Sequence, residues 1–295
     1  MNKSNLTQVL RRFSTDHYED TSINKYEVVD NSVLFCDRKN NLEFGIANNA
    51  ADRIQAYRLV YNLYVEKEFA KPDKIKMWKS LFDAHKDTVT FIAKQKSKVV
   101  GAITIVIDSK MGLPADNLFQ EDIQSLRNSK KNPAEIISLA IDNSIKGAQN
   151  ILIKLFNYVY ISGRSLYGAS NLIITINPRH VFYYKKKLLF NQMGAIKTYD
   201  KVGGADAVLL TLDYSKTDLI LNKTRKEEFK TNTVYPFFIN HEEEISALEK
   251  IKSEIKPMSS AEFIYLFKDL LGNKNNSQDE HLEYLKDIFY NAVSI

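Results

Sequence analysis

The sequence predicts an α/β protein in which a mixed, mostly antiparallel sheet is flanked by helices and followed by a C-terminal helical region. Patterns typical of strands and of amphipathic helices alternate over residues 42–213. Within them, residues 135–176 form a strand–helix–strand pattern of the length typical of a right-handed crossover between parallel strands. We therefore divide the chain into an N-terminal extension (1–41), one α/β domain (42–213), and a linker with C-terminal helices (214–295).

The first predicted elements are a strand and a long helix. Leu42 to Ala47 alternates as a strand does, and Val33 to Phe35 is a candidate short strand within the extension. Asn48 or Asn49 is a suitable N-cap for the helix that follows. Its apolar residues recur at helical spacing, at Ile54, Tyr57, Tyr61 and Tyr64. Residues 71–86 then form a loop with irregular helical content.

A hairpin and a central strand follow. Thr88 to Lys94 and Val99 to Asp108 are strand-like and flank a short polar turn, which is typical of a β-hairpin. Gly112-Leu113-Pro114 breaks the chain before a short helix at 116–127. Glu135 to Ile141 is nearly all apolar, so we expect a central strand with an acidic residue at its start. Residues 150–166 are strongly apolar at helical spacing.

At Asn177-Pro178-Arg179-His180 the chain passes from a strand to a short helix. Leu172 to Ile176 is an apolar strand, and proline suits the first turn of a helix, where its missing N–H costs nothing. Gly194 falls after that helix, and Val208 to Leu212 is the last strand. The polar, lysine-rich residues 214–233 predict a linker. Three helical patterns then close the chain: 242–255, a helix with a Ser259–Glu262 capping box, and 276–294.

Composition and motifs exclude several classes of function. Hydrophobic residues make up 44% and charged residues 26% of the chain, as in soluble globular proteins. No apolar run approaches the roughly 20 residues of a membrane span, and no apolar leader is visible, so we expect a cytoplasmic protein. The single Cys36 precludes an internal disulfide. The five histidines lack metal-ligand spacing, so we expect no metal and no permanently bound cofactor.

The charge pattern and the missing phosphate-binding loops argue against nucleic acids and several classes of nucleotide as ligands. A net charge of +5 is spread over scattered lysines without a nucleic-acid-binding motif, so we expect no nucleic acid, whereas an acidic protein partner is compatible. Neither a P-loop nor a dinucleotide-binding glycine motif is present, and there is no nucleophile elbow.

The order of the predicted elements is similar to that of the GNAT acyltransferase fold. The resemblance implies that the strand at 135–141 and the parallel strand after it, the fourth and fifth of that fold, splay apart around the pantetheine arm of a thioester donor. The next helix would offer its N-terminal amides to a donor phosphate. Lys146, Gly147 and Ala148 retain part of the superfamily's acetyl-CoA fingerprint and are the candidate donor-binding residues. The rest of that fingerprint is missing.

The sequence also resembles the long-chain N-acyl amino acid synthases of the N-acyltyrosine synthase type, relatives of the acyl-homoserine lactone synthases. The stretches that carry the resemblance are AYRLVYNLY (56–64), TVTFIA (88–93), VVGAITIVIDSKMGLPAD (99–116), EIISLAI (135–141), INPRHVFYY (176–184) and VGGADAVLLTLD (202–213). It implies transfer of a fatty acyl group from acyl carrier protein, or from acyl-CoA, to the α-amine of an amino acid. It also implies peripheral contact with the lipid product, without a membrane span.

Two residues are the catalytic candidates. Glu135 is the candidate base for the acceptor amine, because a carboxylate at the start of a buried strand can have a raised pKa. The alternative is a structural ion pair with Arg53 or Arg58. Tyr184 stands where many superfamily members place a tyrosine that protonates the leaving thiolate, and Tyr183 is the second choice. Core packing is the alternative for both tyrosines.

The candidate substrate-binding residues come from three segments. Backbone N–H groups of the splayed strand, around Ser138, Leu139 and Ile141, would stabilise the oxyanion. From the first helix, Arg58 would hold the acceptor carboxylate. Further candidates, each with a structural alternative in core packing or helix capping, are Tyr61, Tyr64, Asn177 and Arg179. An acidic carrier protein would bind lysines 110, 130, 131 and 185–187. The alternative is that these lysines form a solvated face.

Two other functions stay open from the sequence. One is a small-molecule N-acetyltransferase that uses acetyl-CoA, against which the incomplete fingerprint argues. The other is a catalytically degenerate fold that binds partners through its helical tail. Ser138 and Val60 motivate this reading, because autoinducer synthases carry arginines at those two places.

Overall fold

A nine-stranded sheet forms the centre of the computed structural model, which describes residues 33–223, 237–238, 241–271 and 280–291. The strands are β1 Val33–Asp37, β2 Leu42–Ile46, β3 Val89–Gln95, β4 Lys98–Ile107, β5 Pro133–Ile141, β6 Asn171–Ile176, β7 Asn191–Gln192, β8 Lys197–Tyr199 and β9 Ala205–Asp213. They lie in the order β1-β2-β3-β4-β5-β6-β9-β7, and β8 pairs with β9. Among these strands only β5 and β6 pair in parallel, so the predicted mixed, mostly antiparallel sheet is confirmed.

Helices flank this sheet, and two of their caps follow directly from the sequence. The helices are α1 Ala50–Glu66, α2 Asp116–Asn128, α3 Ala148–Ile161, α4 Val181–Lys187, α5 Tyr214–Lys223, α6 His241–Glu254, α7 Ser260–Leu271 and α8 Glu280–Asn291. Asn49 begins α1, since its side-chain oxygen accepts the N–H of Asp52 at 2.9 Å. Ser259 and Glu262 form the predicted capping box of α7, with side-chain to backbone bonds of 3.0 and 3.3 Å.

Three boundaries differ from the sequence prediction. The predicted linker begins instead with α5, because the Asp213 carboxylate accepts the N–H of Lys216 at 3.1 Å and Tyr214 is buried. The long helix is shorter than predicted, ending at Ile161 and continuing as a π-helical turn over Ser162–Leu166. The candidate strand at Val33 to Phe35 is present as β1, which pairs with β2, so the sheet begins before Leu42. Residues 1–32, the second half of the predicted linker (224–233) and both ends of the predicted helix 276–294 lie outside the described residues.

The two faces of the sheet pack against different helices. On one face, a core that includes Phe91, Ile103 and Ile105 packs against α3. These three residues, the candidates for an acyl tunnel or for core packing, are fully buried there. On the other face, α1 and α7 cover a second core that includes Phe119 and Phe263.

The C-terminal helices are tied to the domain by polar contacts on both faces. Arg53 in α1 forms an ion pair with Glu262 at 2.6 Å, and Lys79 forms one with Asp269 at 2.8 Å. On the opposite face Arg164 pairs with Glu244 of α6 at 3.2 Å. The predicted C-terminal helical region is therefore present and packs closely on the α/β domain.

Within the described part of the chain, no helix is long and apolar enough to cross a membrane. The same residues contain no group of three or more histidine, cysteine or acidic side chains that could hold a metal ion.

Candidate active site

The strands β5 and β6 pair over a short distance and then separate. Their pairing runs from Pro133–Asn171 to Ile136–Ile174. Beyond that point β5 continues to Ile141 against β4, and β6 continues to Ile176 against β9. A V-shaped opening therefore begins after Ile136, and the predicted splaying of these two strands is confirmed.

A β-bulge lies just inside this opening. Thr104 of β4 pairs with Ile137 and Ala102 pairs with Ala140, so Ser138 and Leu139 together stand opposite one β4 residue. Ser138 has a φ of 55°, a left-handed conformation that is uncommon for residues other than glycine. Because a bulge takes a residue out of the strand ladder, it can turn a backbone N–H towards a ligand in the opening.

Glu135 lies at the closed end of the opening, opposite Ile173 of β6. Its side chain is buried, with 2% of its surface exposed, and its Oε2 accepts the backbone N–H of Ala115 at 2.8 Å. Burial raises the pKa of Glu135 to about 8, although the Ala115 N–H and the charge of Lys201 act in the opposite direction. The alternative pairing with Arg53 or Arg58 is not what the structure shows, since Arg53 pairs with Glu262.

Two residues near Glu135 come from a segment that the sequence prediction did not single out. Tyr199 ends β8 and is half-buried, and Lys201 follows in the turn before β9. Burial raises the pKa of Tyr199, and the charge of Glu135 raises it further, so the two side chains lie within electrostatic range. The sequence signal for this tight turn is the pair Gly203-Gly204, and both glycines have a positive φ in the structure.

A group of aromatic side chains lies at the end of α1 and packs near Ala140 of β5. The Tyr64 ring lies 4.7 Å from Trp78 and 6.0 Å from Phe69, measured between ring centroids. Burial raises the pKa of Tyr64 to about 12, with a further contribution from Tyr199. Tyr184 is buried, and its pKa is raised above its ordinary value by burial and then by Tyr64. Tyr64, Tyr184 and Tyr199 are therefore neighbours, and Tyr199 connects them to Glu135.

The other predicted residues of the first helix lie elsewhere. The Tyr61 hydroxyl accepts the backbone N–H of Asp73 at 2.8 Å, so it holds the loop after α1. Arg58 is exposed and lines an open groove of about 480 Å³ with Asp142 and its neighbours. Asp142 is the residue after β5 and lies seven residues beyond Glu135, which is roughly 20 Å along an extended strand. The structure therefore does not bring Arg58 to Glu135.

The motif after β6 combines a capping residue with an exposed arginine. Asn177 caps the following turn by accepting the N–H of Arg179 at 3.2 Å, and its amide donates to the Asp206 carbonyl at 3.1 Å. Arg179 is exposed, and its guanidinium lies 5.8 Å from the centre of the Phe69 ring. The motif thus caps the turn, as one of its two predicted roles required, and also places Arg179 beside the aromatic group.

The predicted donor-binding residues lie at the N-terminus of α3. Gly147 is its N-cap and has a φ of 86°, a conformation that favours glycine. Lys146 is exposed beside it, and Ala148 is the first helical residue. The free N–H groups of such a terminus attract anions. Leu139 is half-buried and Ile141 is buried, on the strand that leads from the bulge to this helix.

Comparison with known protein families gives one match. A family model described as N-acyl amino acid synthase FeeM matches residues 55–213, which is more than half of the chain and spans the whole opening. No curated protein matches the chain.

Several solved structures are similar to this chain. The structure of FeeM, an N-acyl amino acid synthase from uncultured soil microbes, is 24% identical, with a TM-score of 0.52 over 59% of this chain and 93% of its own. The acyl-homoserine lactone synthase LasI is 13% identical over 68% of this chain and 96% of its own, with a TM-score of 0.45. A GNAT-family acetyltransferase from Streptococcus pneumoniae is 13% identical over 58% and 99%, with a TM-score of 0.39. The FeeM structure, with a TM-score above 0.5, shares the fold, so the predicted fold class is confirmed.

Proposed function

The chain belongs to the N-acyl amino acid synthase family and is an acyltransferase, and on this basis we propose that it transfers a long-chain fatty acyl group to the α-amine of an amino acid. The donor would be the thioester of an acyl carrier protein, or acyl-CoA, in the cytoplasm. The observation that carries the proposal is a buried carboxyl, Glu135, with a pKa raised to about 8 at the closed end of the opening between β5 and β6.

The proposed reaction joins the amine to the acyl carbonyl and releases the thiol. The amine nitrogen attacks the thioester carbon, and the carbonyl oxygen becomes an oxyanion. Backbone N–H groups at the Ser138–Leu139 bulge are suited to stabilise this charge, because fixed dipoles in a water-poor site act strongly on it. The intermediate then collapses, breaking the C–S bond and leaving an amide and a thiolate.

Glu135 is suited to take the proton that the amine loses. An α-amine is largely protonated at neutral pH, and a base with a pKa near 8 matches it more closely than an ordinary carboxylate does. Tyr199 lies within electrostatic range of both Glu135 and Tyr64, so it is suited to a proton path from the amine, directly or through water.

Tyr184 is suited to act on the leaving sulfur. Burial keeps its phenol protonated, since its pKa is raised above the ordinary value. The same burial disfavours a free thiolate in the opening. A phenolic O–H next to the sulfur would therefore donate a hydrogen bond, and then a proton, where the thiolate charge is least tolerated.

The donor arm would enter along the bulged strand and end at the N-terminus of α3. Lys146, Gly147 and Ala148 there would contact the phosphate of the pantetheine arm. On α4, the exposed Lys185 and Lys186 flank Phe182, whose side chain is 71% exposed, and this mixed basic and apolar surface suits an acidic carrier protein.

The test is acyl transfer by the purified full-length chain. Palmitoyl carrier protein and palmitoyl-CoA are each incubated with the protein and a mixture of the twenty amino acids, and products are read by mass spectrometry. We expect N-acyl amino acids with the native chain and at least a 100-fold loss with Glu135→Gln. Failure of the native chain to release thiol from either donor would overturn the proposal.

A further inference from the structure

Two cations lie within electrostatic range of each other at the end of α1, beside the aromatic group. Lys67 follows the last residue of α1, and Arg179 lies in the turn after β6. Neither side chain forms a salt bridge with any residue that the structure describes. Like charges repel, so such a pair is best satisfied by an anion that binds between them.

The Arg179 guanidinium is held in place by neighbours that do not neutralise it. It lies over the Phe69 ring at 5.8 Å, and its Nε–H donates to His180 Nε2 at 3.3 Å. Burial, followed by the charges of Arg179 and Lys67, lowers the pKa of His180 to about 4, so the imidazole is neutral and accepts this bond. The terminal N–H groups of Arg179, the pair that binds a carboxylate bidentately, form no hydrogen bond with any residue that the structure describes.

Lys67 is half-buried and lies within electrostatic range of this arginine. Burial lowers its pKa; the adjacent Glu66 opposes that change, and the charge of Arg179 adds to it. The backbone around Lys67 is also fixed, because its N–H donates to the Leu63 carbonyl at 3.1 Å. Two residues later, Phe69 contacts both Tyr64 and Arg179. The pair is therefore connected to the aromatic wall that leads to Tyr199 and Glu135.

We propose that Lys67 and Arg179 together bind the α-carboxylate of the acceptor amino acid. The inference rests on the proposed function, because only an amino acid acceptor brings a carboxylate next to the reacting amine. It assigns to this pair the role that the sequence analysis gave to Arg58. A phosphate of the donor is the other anion with suitable chemistry, but the N-terminus of α3 is the expected phosphate site.

The test compares amino acids with amines that lack the carboxylate. Leucine and isopentylamine form one pair of probes, and phenylalanine and phenethylamine form the other, with palmitoyl carrier protein as donor. We expect the native chain to have at least a tenfold lower KM for the amino acid of each pair. Arg179→Met and Lys67→Met should each raise the amino acid KM about tenfold, leaving kcat within about threefold and the amine kinetics unchanged.

The unchanged amine kinetics also report that each variant is folded, and Lys216→Met, at an exposed position on α5, is the matched control. Equal KM values for amino acid and amine with the native chain would overturn the carboxylate assignment but leave acyl transfer to amines standing. A rise in donor KM, with the amino acid KM unchanged, would assign the pair to the phosphate instead. If neither amines nor amino acids are acylated, the proposed function itself fails.

Discussion

Replacing Glu135 with glutamine should remove a pH dependence of stability that this buried carboxyl imposes. Burial raises the pKa of Glu135 from 4.5 to about 8. Between these two pH values the carboxyl is protonated in the folded protein and ionised in the unfolded chain, and the protonated form contributes to the stability of the fold. This contribution to stability is fully present below pH 4.5 and is lost as the pH rises through 8. At 1.36 kcal/mol per pKa unit, the loss amounts to about 5 kcal/mol.

Urea unfolding of the native chain and of Glu135→Gln at pH 5, 7 and 9 measures this effect. Glutamine has the shape of the protonated carboxyl and can still accept the Ala115 N–H, so at pH 5 the two free energies of unfolding should agree within about 1 kcal/mol. By pH 9 the variant should be the more stable one by about 3–5 kcal/mol. Glu121→Gln, at an exposed position on α2, controls for the substitution itself. A difference that stays constant from pH 5 to pH 9 would refute the reasoning.

The remaining predictions concern rate and packing. The rate of acyl transfer should rise with pH up to about 8 as Glu135 loses its proton, and a flat pH–rate profile would argue against its role as base. Tyr184→Phe should lower kcat about 10–100-fold with an unchanged acceptor KM in steady-state assays, whereas full activity would make Tyr184 a core residue. Gly101→Ala should destabilise the fold by about 1–3 kcal/mol in thermal unfolding, because the new Cβ would stand 2.5 Å from Ile151 Cγ2. Arg53→Met should remove the ion pair at Glu262 Oε1, leave only the Ser259 capping bonds on this carboxylate, and speed limited proteolysis between α6 and α7; an unchanged cleavage rate would show that the ion pair does not hold this segment.

The fold was predictable wherever local chemistry decides it. Asn49 and the Ser259–Glu262 box are caps that act within one helical turn, and they were placed correctly. The α5 helix was missed because its start depends on Asp213 and on burial of Tyr214, which a polar, lysine-rich composition does not reveal. Tertiary packing outweighed local propensity there.

The candidate site was only partly predictable, because it combines segments far apart in the chain. Glu135 stood out as an acidic residue in an apolar strand. Tyr199 and Lys201 did not, since only the pairing of β8 with β9 brings them to this end of the sheet. Arg58 illustrates a different limit. It follows Tyr57 directly, yet successive helical residues point about 100° apart, so Tyr57 is buried and Arg58 faces the outer groove.

Because β5 and β6 pair over only four residues, the two halves of the sheet are joined by a short hydrogen-bonded connection. It is the sheet's own connection between the five strands β1–β5 and the four strands β6–β9. A donor arm bound in the opening would contact both halves of the sheet. Its binding free energy would therefore also stabilise the two halves against separation. Substrate would then raise the melting temperature in proportion to the logarithm of its concentration. Release of the arm at the end of each catalytic turnover would remove this stabilisation.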